Sequence, residues 1–301
     1  MNSSVESQAV NPSTCSPFET RNERDIFSFA GQIFLIIVNI LTFPAAVVLN
    51  LFVMAAVKMK RRLRQQKSNI LVATLAFTDF LTGLTIQPIF IVVLITALLG
   101  KDSWLCSLET FTRPAVACVF SASLHHVLLL SGERLMAMKY TFKHTNFITT
   151  SRLLAASFMA WSLSVFIHVC IFPFYRIAFL AVSSSLITLS LTFIIFCHVT
   201  VFPHQVTQEA REQFARAKKA FNLTFTILCV LLLCYLPVFF YRIVFSRYVS
   251  QISTETKFLV DQSILLIALL NSFFNPVIYA VRIRQIRVAC MELVCRRITA
   301  E

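Results

Sequence analysis

Glycine is scarce, with four in 301 residues. That argues against Gly-rich phosphate loops and against a porin-like barrel with many tight turns. Charge is scarce too. Asp, Glu, Lys and Arg make up 14% of the chain, against roughly 25% in an ordinary soluble domain. The first 27 residues are polar and carry Glu6, Glu19, Glu23 and Asp25. They lack the basic start and apolar core of a cleaved signal peptide, so the first apolar span is expected to act as the insertion signal. Neither an internal repeat nor a low-complexity segment is found, and many transporters are built on repeats. What is abundant is apolar: 57% of residues are hydrophobic, and Phe alone occurs 30 times. One water-soluble globule cannot hide that much, and disorder needs low hydrophobicity.

Seven apolar stretches, at about 29–57, 68–97, 106–137, 151–173, 177–202, 215–245 and 257–280, are each long enough for a helix crossing lipid. Helices satisfy their own backbone groups in hydrocarbon. The fold class is therefore an all-α membrane protein: a seven-transmembrane helix bundle with a short amphipathic C-terminal helix. Residues 1–28 form an extracellular tail, 29–280 the seven-span domain, and 281–301 the amphipathic helix and a short cytoplasmic tail.

The formal charge is +13, from 27 Lys and Arg and 14 Asp and Glu. In a soluble chain this excess points to nucleic acid. Here, with the N-terminus outside, 19 of the 27 cations fall on the inner loops and tail and 8 on the outer side. This obeys the positive-inside rule. The basic face meets anionic membrane lipid and an acidic partner, with no nucleic acid. The sequon at Asn2 lies on the outer side, where it is a glycosylation candidate. The nine cysteines are mostly inside apolar stretches, where a free buried thiol is the default. Cys290 and Cys295 sit among arginines on the final helix as palmitoylation candidates, or as unmodified thiols.

Ionisable groups in lipid are costly and usually functional. Asp79 lies midway along the second span, with Asn50, Ser123, Asn271 and Asn275 at matching depth. One carboxylate among amide and hydroxyl oxygens suits either a small hard cation such as Na⁺ or a water-filled hydrogen-bond cluster. Glu133-Arg134 ends the third span, Cys234-Tyr235-Leu236-Pro237 lies in the sixth, and Asn275-Pro276-Val277-Ile278-Tyr279 in the seventh. Pro237 and Pro276 each remove a backbone hydrogen bond within a span, which makes hinges.

Asn50, the Leu-Ala-x-x-Asp run ending at Asp79, Glu133-Arg134, Trp161, Cys-x-x-Pro at Cys234 to Pro237, and Asn-Pro-x-x-Tyr at Asn275 to Tyr279 together resemble the rhodopsin-like, class A, G-protein-coupled receptors. The markers fall in the family's order, one in each span except the fifth. The resemblance implies a non-enzymatic receptor in the plasma membrane that passes an extracellular ligand signal to a heterotrimeric G protein by helix rearrangement. It implies no cofactor beyond a Na⁺ held by Asp79, Ser123, Asn271 and Asn275. The implied activation switch comprises Glu133, Arg134, Tyr235, Pro237, Asn275, Pro276 and Tyr279. The implied G-protein contacts are Arg134 and Phe142, the latter in the second inner loop, where a lipid-facing Phe is the alternative.

Departures from the family are as informative. Leu135 follows the arginine where Tyr is usual, Tyr235 replaces Trp, and Leu231 stands where Phe is common. Span five has Ser190 near the usual proline place and His198 where a Tyr is normal. Ala217 replaces a frequent acid of the sixth span, which removes a cross-helix lock on Arg134 and predicts basal signalling. Glu109 stands where the outer disulfide Cys is usual, leaving Cys106–Cys170 and Cys106–Cys15 as open pairings. A very short second outer loop completes a loose likeness to the melanocortin, adenosine and cannabinoid receptor branch.

The outer half of the bundle is the expected ligand site, with Gln87, Glu109, Arg113, Val116, Phe120, Tyr235, Tyr241, Arg242, Asp261 and Gln262 as candidates. Glu109 with Arg113, and Arg242 with Asp261, are alternatively structural ion pairs at the rim. Val116 stands where the family's amine receptors carry an Asp, and the seventh span has no mid-span Lys. A peptide, nucleoside or lipid-like ligand is thus favoured over a monoamine or retinal. Rival readings are weaker: an intramembrane metalloenzyme would need more than His125-His126, since adjacent residues on a helix point about 100° apart. A transporter or channel, or a ligand-independent receptor, remains the alternative.

Overall fold

The computed structural model describes residues 26–100, 102–139, 147–171, 188–189, 192–193, 195–196, 210–241 and 254–298. These are helical almost throughout. The helices are α1 (Ile26–Met59), α2 (Arg61–Gln65), α3 (Lys67–Leu81), α4 (Gln87–Leu99), α5 (Asp102–Lys139), α6 (Thr150–Val165), α7 (Ala210–Phe240), α8 (Thr254–Leu269), α9 (Asn271–Arg282) and α10 (Arg284–Ile298). π-helical turns at Thr82–Ile86 and Phe166–Ile171 continue α3 into α4 and extend α6. Five of the resulting rods are long and apolar enough to cross a membrane, and Asn222–Pro237 within α7 is a shorter apolar run. They correspond to six of the seven expected spans. The fifth, 177–202, lies outside the described residues apart from a few positions.

The bundle closes on itself. α1 packs against α3, α4, α8 and α9; α3 against α5 and α6; α5 against α7; and α7 against α8 and α9. Unlike a water-soluble protein, the bundle has an apolar outer face, with polar side chains buried among its apolar core. Phe34, Leu41, Leu51, Phe158, Met159 and Leu233 face outward, while Asn39, Asn50, Asp79, Gln87 and Asn275 are buried. The interior has two apolar clusters. One, toward the basic end, gathers Val53, Leu71, Leu75, Val127, Leu130, Ile227, Leu231 and Tyr279. The other, toward the far end, gathers Leu35, Phe90, Leu94, Leu105, Val116, Leu266 and Leu269. Asn50, Asp79, Ser123 and Asn275 fall between them along their helices.

The second span carries a detail that run length does not reveal. Pro88 has no N–H to give the carbonyl four residues back, and the chain accommodates it with the π turn Thr82–Ile86. The Thr82 hydroxyl donates to the Thr78 carbonyl at 3.0 Å and Thr85 to the Leu81 carbonyl at 2.7 Å, covering acceptors along the irregular stretch. Gly83 lies inside this turn, and a Cβ there would meet Val47 Cγ2 at 3.0 Å and the Val47 backbone nitrogen at 3.3 Å. Gly83→Leu is therefore expected to push α1 outward and lower stability by about 1–3 kcal/mol, read as a lower unfolding midpoint of the detergent-purified protein. An unchanged midpoint would mean that α1 is not seated there. At the far end α4 stops at Gly100, whose φ of 66° is left-handed and whose N–H closes on the Ala97 carbonyl.

The seventh span runs through α8 and α9 as one apolar stretch, Glu255–Arg282; at Leu270, six residues before the expected hinge at Pro276, the backbone stays right-handed helical and the Leu270 carbonyl still accepts from the Phe274 N–H at 3.0 Å. α10 follows a one-residue break at Ile283, which is extended. Its Ile286, Ala289, Cys290 and Leu293, at helical spacing, pack against the basic-end cluster that includes Val53 and Ala56 of α1. Lys60 of the short link between α1 and α2 pairs with Glu292 of α10.

Candidate functional site

The polar layer is built by three helices. Asp79 of α3 is 1% exposed, and its Oδ2 accepts a hydrogen bond from Asn275 Nδ2 of α9 at 2.7 Å. A carboxylate only accepts, so it sets which way the Asn275 amide points. Asn50 of α1 completes the frame: its Nδ2 donates to the Ala46 carbonyl at 2.8 Å and to the Ser272 carbonyl at 2.9 Å. Ser272 is the residue four before Pro276, the carbonyl that the proline leaves without a helical donor. The orphan created by Pro276 in α9 is thus satisfied by Asn50 of α1, which ties the two helices together.

Several oxygens in this layer are buried with no hydrogen-bond partner among the described residues: Asp79 Oδ1, Asn50 Oδ1, Ser123 Oγ, Asn271 Oδ1, Asn275 Oδ1 and Tyr279 OH. One carboxylate with amide and hydroxyl oxygens is hard-donor chemistry. By that chemistry the donor set suits a hard monovalent cation or water; among the described residues there is no group of three or more His, Cys, Asp or Glu that could hold a metal ion.

At the basic end of α5, Glu133 is buried and its Oε2 lies 3.5 Å from Arg134 Nε. Among the described residues no acid from another helix reaches that guanidinium. Midway along the bundle, Phe120 of α5 and Tyr235 of α7 meet edge to face, with centroids 5.2 Å apart and planes at 68°. Leu231 sits in the basic-end core one turn before Tyr235, and Tyr279 is fully buried there. Pro237 lies within α7 and Pro276 within α9. Phe142, Arg242, Ser190, His198, Asn2 and Cys15 lie outside the described residues, as do the side chains of Arg113, Cys106 and Cys170.

The ligand candidates divide. Glu109 of α5 and Gln262 of α8 come together, with Gln262 Nε2 donating to Glu109 Oε1 at 3.3 Å. Val116 is buried in the far-end cluster and Phe120 packs on it. Tyr241 and Asp261 are half-buried. Gln87 opens α4 just after the π turn. It is fully buried against α1, its Nε2 donating to Asn39 Oδ1 at 3.1 Å and Thr42 Oγ1 at 3.3 Å. The π turn supplies a reason. An extra residue in the turn rotates everything beyond it by about 100°.

Sequence reasoning missed the Asn39–Gln87 pair and a seam between α5 and α6. There His125 Nδ1 meets Ser164 Oγ at 3.1 Å, His168 Nδ1 meets the Ser164 carbonyl at 2.9 Å, and His126 Nδ1 meets the Ala122 carbonyl at 2.7 Å. These histidines have structural partners. The four-residue step from Ser164 to His168 was the available signal. On α10, Cys290 is half-buried, and burial pushes its thiol pKa up, whereas Cys295 is exposed.

Comparison with known proteins agrees with this arrangement. The family described as "7 transmembrane receptor (rhodopsin family)" matches residues 49–177. Cannabinoid receptor 2 of Mus musculus is 26% identical over 301 aligned positions, covering 90% of this chain and 84% of that protein. The 5-hydroxytryptamine receptor 2B of Dichotomyctere fluviatilis is 30% identical over 126 positions, covering 40% of this chain and 25% of that receptor. The matched stretch begins one residue before Asn50 and runs through Asp79, Glu133, Arg134 and Trp161. The remaining markers, Cys234 to Pro237 and Asn275 to Tyr279, lie on the helices that close the bundle around it, and over residues 49–177 the chain is similar to the rhodopsin family of seven-transmembrane receptors.

Proposed function

We propose that this receptor carries an extracellular ligand signal to a heterotrimeric G protein through a two-state bundle in the plasma membrane, with the N-terminus outside and the basic end in the cytoplasm. The observation that carries the reading is the Asp79–Asn275 bond between α3 and α9, made in a fully buried polar layer between two apolar clusters. Such a layer is bistable in kind, because its unpaired oxygens can be re-partnered by a small shift of α9, whereas packed apolar clusters resist continuous deformation. A Na⁺ bound at Asp79, Ser123, Asn271 and Asn275 would supply the positive charge this acceptor-rich layer lacks. Arg134, with Glu133 beside it, supplies the cytoplasmic face for the G protein, and Phe142 of the following loop is its apolar contact. The switch is completed by Tyr235, Pro237, Pro276 and Tyr279. The ligand site is the extracellular half of the bundle, around Glu109, Gln262, Val116, Phe120 and Tyr235. Arg113, Tyr241, Arg242 and Asp261 stand at its rim, and the ligand is a peptide, nucleoside or lipid-like molecule.

The test is nucleotide exchange on a panel of coexpressed G proteins, with Arg134→Ala as the control. Exchange that disappears in the variant at normal surface level supports coupling. Ion current or substrate flux without exchange would replace it with a channel or transporter. The role is non-enzymatic, and Asn2 is the glycosylation site. Of the two acylation candidates, exposed Cys295 is the better one, since burial leaves Cys290 with less reactive thiolate. Cys295→Ser is expected to remove most metabolically incorporated palmitate and Cys290→Ser little of it; the opposite order would reverse the assignment.

A further inference from the structure

Six cations, Lys58, Lys60, Arg61, Arg62, Arg64 and Lys67, fall within ten residues at the basic end of α1. Clusters of this density beside a spanning helix attract anionic headgroups. The fold sorts them. Lys60 is taken by Glu292 of α10. Lys67 Nζ donates to Thr150 Oγ1 at 3.3 Å, and Arg64 Nη1 to the Lys58 carbonyl at 3.1 Å. Lys58, Arg61 and Arg62 are left exposed, with no side-chain partner among the described residues.

The segment holding these three is rigidly built. Leu63 is 2% exposed and belongs to the basic-end core. Asn69, itself buried, donates to the Leu63 carbonyl and to Gln66 Oε1, both at 3.0 Å. With Leu63 anchored inward, Arg61 and Arg62 are held outward. Along α1, Leu41, Val48, Leu51 and Met59 form an exposed apolar column that ends beside Lys58. A soluble anion would use the charges alone. An apolar column ending at three unpaired cations has the chemistry of a lipid, acyl chain and headgroup together.

We propose that Lys58, Arg61 and Arg62 form a binding site for an anionic membrane lipid with a multiply phosphorylated headgroup, its acyl chains lying along Leu51 and Met59. Three exposed cations within five residues exceed what a singly charged headgroup neutralises, and the bidentate fork of an arginine matches phosphate oxygens. The site requires α1 to span the bilayer, but it does not depend on G-protein coupling.

The experiment uses the full chain purified in detergent, titrated with short-chain phosphatidylinositol bisphosphate, short-chain phosphatidylserine or free inositol trisphosphate. Binding is read by native mass spectrometry and by thermal shift. Saturable binding of the bisphosphate lipid is expected, at least tenfold tighter than either of the others. Arg61→Gln/Arg62→Gln is expected to weaken it roughly thirtyfold, at about fivefold per charge. Arg284→Gln/Arg287→Gln, the same charge change on α10, is expected to leave it within about twofold. Equal loss in both double variants, or phosphatidylserine binding equally well, would reduce the site to diffuse attraction and overturn the proposal. Free inositol trisphosphate binding as tightly as the lipid would overturn the lipid assignment, and so would the absence of any lipid binding.

Discussion

Asn275→Leu is expected to lower the thermal unfolding midpoint of the purified receptor by the equivalent of roughly 3–5 kcal/mol, the usual cost of stripping a buried charge of its partner. Asp79 Oδ2 receives its bond from Asn275, and Oδ1 has no protein donor among the described residues. The substitution leaves a buried carboxylate without the donor that Asn275 supplies. Removing both groups is gentler than removing one, so Asp79→Leu/Asn275→Leu is expected to unfold at a higher temperature than Asn275→Leu alone. Strict additivity of the two single effects would contradict direct coupling. The same protein decides between cation and water in the polar layer. If Na⁺ binds there, exchanging choline chloride for NaCl at constant ionic strength raises the wild-type midpoint by linkage, and Asp79→Leu abolishes that rise. Identical behaviour in the two salts would leave a water-filled cluster.

Nucleotide exchange without any ligand is the second large effect expected. Arg134 has one ion partner among the described residues, Glu133, which is its chain neighbour on α5 at 3.5 Å. That contact travels with α5, so it adds nothing to the energy that keeps α5 and α7 together. Ala217 lies on α7, and the resemblance to rhodopsin-like receptors implies a frequent acid at this position. Ala217→Glu is expected to lower basal exchange by roughly 5- to 30-fold, the lower part of the usual range of coupling energies. Arg134→Ala is expected to reduce it to the level of mock-transfected cells. A second-messenger assay showing no basal signal at matched surface expression would contradict the weakly held resting state.

How much of this was legible beforehand differs from element to element. Spans one, two, three and seven match described helices within a few residues, and spans four and six match over the described part of theirs, because a run of apolar residues costs too much in water and a helix satisfies its backbone in lipid. The depth of Asp79, Asn50 and Asn275 followed from counting along those runs. The direction of Gln87 was not legible, because it depends on a π turn five residues long that Pro88 and Gly83 permit but do not announce.

Transfer free energy is additive along the chain, so residue order alone determined the number of apolar runs, the sidedness of charge and the family markers. Contacts between helices depend on the rotation of each rod about its axis, and no linear pattern states that angle. Only the tertiary structure therefore decided that Asn50 takes the carbonyl orphaned by Pro276, that Gln87 turns to Asn39, and that Glu292 removes Lys60 from a cluster whose Arg61 and Arg62 stay unpaired.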